Sequence, residues 1–228
     1  MRGMNWTVFA VMIPFFWLAG CGDPPSALDE TRKTLRGLPS YSIVLDDMKT
    51  EGDIFETHWH KYKVITEQGP VSMDWARVPK KTYEQNRSLL GMTIWTKQDG
   101  RESAAAGPPG YEYVDNPRYG RWRSDSSGSS FWVFYGQYRL LGDLLGAGPI
   151  YRNHYAAYSA GRARGVPYYG PNKEYGRDGS LTRRRNPNFY QRAAQRRKAS
   201  RASFGDKFNR RIGRTRAGFS GRSGIGGK

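Results

Sequence analysis

Three things are scarce in this 228-residue chain: cysteine occurs once, histidine three times, and a single acid, Asp206, stands among the last 48 residues. One cysteine excludes an intramolecular disulfide framework. Three histidines, His58, His60 and His154, leave little material for a metal centre or for acid–base work near neutral pH. No apolar run reaches the roughly 20 residues that a bilayer-spanning helix requires. The chain has no Gly-x-Ser-x-Gly elbow, so one common serine-nucleophile arrangement is missing. The terminal GRSGIGGK has Arg222 where a phosphate loop needs its first glycine, and no Ser or Thr follows Lys228. Carboxylates such as Asp46, Asp47 and Glu56 carry no spacing that marks an acid–base pair. Nothing here specifies a reaction.

What is abundant is positive charge, and it is unevenly placed. The formal net charge is +17. Residues 1–150 hold 17 Lys/Arg and 17 Asp/Glu, whereas residues 151–228 hold 20 and 3, so the second part supplies the whole excess. A neutral front joined to a polycationic back is the pattern of a body with an anion-binding appendage. The plainer alternative is a solubilising tail.

The N-terminus reads MRGMNWTVFAVMIPFFWLAGCG. Arg2 precedes an apolar run from Trp6 to Ala19 that Pro14 interrupts, the layout of a signal-peptide core over residues 1–20. It ends in Leu18-Ala19-Gly20-Cys21, which resembles the lipobox of bacterial lipoproteins. That resemblance implies cleavage before Cys21, a covalent lipid on its thiol, and a place in the cell envelope facing the periplasm or the exterior. Two or more acyl chains anchor stably where one does not. Gly22 rather than Asp follows the cysteine, so the inner and outer membranes both stay open.

Residues 21–39 are expected to form the lipidated tether and a short stalk helix. Ser26 can cap ALDETRKTLR, with Asp29 in the first turn and Asp29–Lys33 at i,i+4 spacing. Residues 40–148 should be an α+β body: a small antiparallel sheet with one or two helices. Strands are expected over YSIVLDDMKT (41–50), IFETHWHKYKVIT (54–66), GMTIWTKQ, GYEYV and SSFWVFYGQY, and one helix over PKKTYEQNRSLL. Leu140, Leu141, Leu144 and Leu145 suggest a closing helix. Residues 149–180 are expected to be a Tyr/Gly/Pro-rich linker in which Tyr151, Tyr155 and Tyr158 recur at helical spacing, suited to pack on the body or to sit at a headgroup interface.

From Leu181 onward 15 cations face one acid, and this region is expected to be mostly disordered. The expected anion-binding residues are Arg183, Arg184, Arg185, Arg192, Arg196, Arg197, Lys198, Arg201, Lys207, Arg210, Arg211 and Arg214. Arginine dominates, which suits bidentate pairing with phosphate or carboxylate. Phe204, Phe208 and Ile212 fall at i, i+4, i+8 between these cations, the design of a segment lying on an anionic surface. Anionic lipid, lipopolysaccharide, a wall polymer and an acidic protein are all suitable partners. Nucleic acid suits the composition but not an exported chain.

One metal-binding alternative stands beside this. On a strand, Glu56, His58 and His60 share a face, and a His-x-His pair with a carboxylate is a ligand set for zinc or copper. The ordinary alternative is a wet sheet face with Phe55, Trp59 and Ile65 on the buried side. No cofactor is expected beyond the lipid on Cys21, and the overall reading leans away from an enzyme.

Overall fold

The computed structural model describes residues 26–52, 55–145 and 148–217, and their side chains except at 144–145 and 205–217. The chain is α+β. Strands β1 (Tyr41–Glu51), β2 (Thr57–Thr66), β3 (Gly69–Val78), β4 (Thr93–Gln98) and β5 (Arg101–Ser103) form one antiparallel sheet in the order β3-β2-β1-β4-β5. A separate hairpin pairs β6 (Gly120–Ser124) with β7 (Ser130–Phe134). Six helices are described: α1 (Ala27–Thr34), α2 (Lys80–Asn86), α3 (Arg139–Leu145), α4 (Arg152–Ala163), α5 (Ser180–Arg185) and α6 (Pro187–Ala217).

Period-two alternation gives the sheet two apolar faces. Tyr41, Ile43, Leu45, Tyr62, Val64 and Ile94 point to one, where Ala27 of α1, Tyr83 of α2 and Phe189 of α6 cover them. Val44 and Ile65 point to the other, under Tyr113, Tyr119 and Leu141. A β-bulge between Leu45 and Asp47 adds one residue to β1. Because of it, Met48 rather than Asp47 returns to the first core, and Asp47 is left beside α6.

Several elements differ from expectation. Among the described residues the helices number six, not one or two. The expected stalk, capped by Ser26 as anticipated, is a layer of the body: Ala27 and Thr31 are buried, and Arg32 lies 3.7 Å over the Trp95 ring and 2.7 Å from Glu102. Asp29 pairs with Arg32 at i,i+3 rather than with Lys33. GYEYV forms a 3-10 turn, entered through Gly110 at φ 95°, instead of a strand. β3 has no counterpart among the expected strands.

α4 seats Tyr158 in an aromatic cluster with Tyr111, Trp132 and Ile150. The irregular stretch behind it buries Tyr175 against Met92, Ala106 and Leu181. The described part of the basic region is helical where disorder is expected, since α5 and α6 account for nearly all of 180–217.

The seam between α4 and the sheet is close. A Cβ built on Gly107 would sit 2.5 Å from Cε2 of Tyr158, whose ring is 3% exposed. Gly107 also exchanges two backbone hydrogen bonds with Thr93, at 2.9 and 3.1 Å, so it cannot retreat. Gly107→Ala should therefore cost about 1–3 kcal/mol by overpacking, read as a lower urea midpoint at unchanged slope.

A candidate anion-binding face

The basic region meets the body through its own early residues. Leu181 and Thr182 are buried on α5, and Phe189 on α6. The Asn186 amide donates to the Asp46 carbonyl. On α6, Phe189, Arg192, Ala193 and Arg196 recur at i, i+3, i+4, i+7, one face of a helix, and all four are at least partly buried. Arg192 Nη2 reaches both Asp47 carboxylate oxygens, at 2.6 and 2.7 Å. One turn on, Arg196 donates to the Thr50 carbonyl at 2.9 Å and to Glu56 Oε1 at 2.7 Å. These contacts follow β1 outward to the tip of the β1–β2 hairpin.

Arg192 and Arg196 are thus committed to carboxylates of the body. Arg197, Lys198 and Arg201 lie on the outer part of the helix, are exposed, and have no carboxylate within 4 Å among the described residues. Arg183, Arg184 and Arg185 on α5 are exposed as well. The side chains of Lys207, Arg210, Arg211 and Arg214, with Phe208 and Ile212 of the apolar stripe, lie outside the described residues; Phe204 is described and is 71% exposed. Cys21 and the signal-like segment also lie outside them.

Where α6, α2 and the β1–β2 hairpin converge there is a cleft of about 490 Å³. Its lining holds seven Lys/Arg side chains, among them Arg87, Arg177 and Arg183, against the acids Glu56, Glu84 and Asp178. Arg87 and Arg177 come from outside the basic region, so composition gave no hint of them. Its inner wall is aromatic, with Tyr83, Phe189 and Tyr190.

The histidine pair is placed differently from expectation. His58 and His60 do share a face of β2, but it is the buried one, and Phe55 is 87% exposed. His58 stacks on Tyr83 with ring centroids 4.9 Å apart, and His60 Nδ1 lies 3.1 Å from the Tyr62 hydroxyl. Burial pushes the His60 imidazole down to about 4, and the neighbouring His58 adds to this. Glu56 sits at the hairpin tip and is taken by Arg196. Among the described residues, no three His, Cys, Asp or Glu side chains gather into a metal-binding group, and no helix is long and apolar enough to cross a membrane.

The arrangement offers groups that can hold anions: exposed guanidinium and ammonium groups on α6, and beside it a cationic cleft that Arg197 also lines. No known family, curated protein or solved structure matches this chain.

Proposed function

We propose that this chain is a non-enzymatic lipoprotein of the bacterial cell envelope, held by a lipid on Cys21 and docking through its basic C-terminal helix onto an anionic envelope surface. The carrying observation is the division of labour on α6. Its inner cations neutralise Asp47 and Glu56 and fix the helix to the sheet, while Arg197, Lys198 and Arg201 are exposed and have no carboxylate partner among the described residues. A purely structural helix has no use for that second set.

The anchor geometry agrees. Only five positions separate Cys21 from Ser26, the N-cap of α1, so the lipid lies within about 18 Å of that cap at full extension. α1 and the first turns of α6 cover the same face of the sheet. A lipid on Cys21 would then hold the membrane near the sheet face that α1 and the first turns of α6 share. Each cation brought to an anionic surface contributes about 1 kcal/mol, an attraction that fades within a Debye length of roughly 8 Å at physiological salt.

The test is co-sedimentation of residues 22–228, which include every described element, with vesicles of anionic or neutral lipid over a salt series. Binding confined to anionic vesicles and lost steeply as salt rises is the expected result. Equal binding to neutral vesicles, or tighter binding to single-stranded nucleic acid than to anionic vesicles at matched salt, contradicts the proposal.

A further inference from the structure

The cleft beside α6 has a feature that diffuse surface attraction does not need, which is fixed geometry. Arg177 is held through its own backbone: its N–H donates to the Ser88 carbonyl at 3.0 Å, and its carbonyl accepts from the Tyr190 hydroxyl. Gly176, at φ 78°, permits this approach, because a Cβ there would lie 2.7 Å from the Ser88 oxygen. Arg183 is held over the face of the same Tyr190, 5.0 Å from its centroid. Arg197 enters from the next turns of α6.

None of these three guanidinium groups has a carboxylate within 4 Å among the described residues. The acids nearby are largely spoken for. Glu56 pairs with Arg196, and Glu84 lies 3.3 Å from Arg87. Asp178 remains as a single counter-charge. Three guanidinium groups without a carboxylate partner among the described residues, around an aromatic-walled cleft, match a compact, multiply charged oxyanion better than a lone carboxylate.

We propose that this cleft is a specific receptor for a phosphate monoester, with Arg177, Arg183 and Arg197 as its ligating residues and Tyr190 as the platform that orients two of them. The phosphate is carried either by a membrane lipid headgroup or by a soluble sugar phosphate. In the membrane case the cleft rests on the docking reading above and names the group that is held; in the soluble case it stands by itself.

The experiment uses residues 22–228 and has two arms. In the first, vesicles containing phosphatidic acid, a monoester, are compared with vesicles containing phosphatidylglycerol, a diester, at equal surface charge. In the second, glucose 1-phosphate is titrated and followed by calorimetry and by amide chemical shifts. A charge-assisted hydrogen bond carries about tenfold or more in affinity. Phosphatidic acid should therefore bind at least about tenfold tighter, and R177Q/R183Q should remove that preference. Arg164→Gln, which deletes an exposed charge outside the cleft, should leave it intact.

Saturable sub-millimolar binding of glucose 1-phosphate, lost in the same double variant, assigns the site to a soluble ester. If both vesicle types bind alike and glucose 1-phosphate does not saturate, the cleft is overturned while surface docking stands. If neither vesicle type binds, docking fails and the glucose 1-phosphate titration alone decides the cleft. Arg183 is exposed and Arg177 partly buried, and unchanged thermal melting confirms that the double variant is folded.

Discussion

A chain ending at Arg196 is expected to fold as the intact protein does and to lose anionic-vesicle binding by two orders of magnitude or more. A chain ending at Ser180 is expected to lose the fold itself. The two cuts differ by 16 residues but fall on opposite sides of a structural boundary. Leu181 is 5% exposed and belongs to the core around Tyr175 and Met92, and Phe189 is 8% exposed and closes the core of the main sheet. Deleting one buried Leu side chain typically costs about 2–5 kcal/mol and one buried Phe about 3–5 kcal/mol. Losing both is comparable to the whole stability of an ordinary domain, about 5–15 kcal/mol.

The later cut spares Phe189, Arg192 and Arg196, which make the described contacts of α6 with the sheet. It removes ten Lys/Arg and one Asp. At about 1 kcal/mol per engaged cation, three of the ten suffice for a hundredfold loss. Urea unfolding and vesicle co-sedimentation on both truncations check the pair. A 1–196 chain that binds vesicles as tightly as the intact one contradicts the role given to the distal helix. A stable, cooperatively folding 1–180 chain contradicts the packing role given to α5 and α6.

That boundary is invisible in composition. Arg192 and Arg201 have the same chemistry and sit in the same basic run, yet one is paired with a bulge carboxylate and the other faces water. What separates them is the helical period together with the position of Asp47, which a β-bulge sets. Neither strand pairing nor a bulge can be read from a local pattern. The strands around Ile43 and around Tyr62 were legible because they are rich in β-branched and aromatic residues. β3 was not: as an edge strand it is half exposed, carries Pro70 and Asp74, and keeps only its two ends buried. The reversed histidine face has a similar cause. His58 and His60 line up with Tyr62 and Val64 on one side of β2, and the helix that buries that side supplies Tyr83 from 23 to 25 positions later in the chain. In the cleft, Arg87 and Arg177 were missed because the tertiary fold, not their sequence neighbourhood, brings them to the basic helix.

Two buried titratable groups should give the folding stability opposite slopes on the two sides of the mildly acidic range. His60 is fully buried and its imidazole is pushed down to about 4 by burial, with His58 adding to the effect. The folded state keeps it neutral while the unfolded chain protonates it near pH 6.5. Stability is therefore intact above about pH 6.5 and is lost as the pH falls toward 4, in total about 3 kcal/mol. Glu112 acts the other way. Its carboxyl is buried, accepting from the Gly110 N–H at 2.9 Å and the Thr93 hydroxyl at 3.4 Å, and burial raises its pKa. The folded state holds its proton after the unfolded chain has released it near pH 4.3, so its contribution is full below that value and declines as the pH rises through the folded pKa. Glu112→Gln imitates the protonated carboxyl. It should match the parent near pH 4 and exceed it in urea midpoint at pH 8. His60→Gln, whose amide can still accept from the Tyr62 hydroxyl, should flatten the acid limb between pH 6.5 and 4. Parallel pH–stability curves for parent and His60→Gln over that interval would show that His60 titrates freely and is not held neutral in the core.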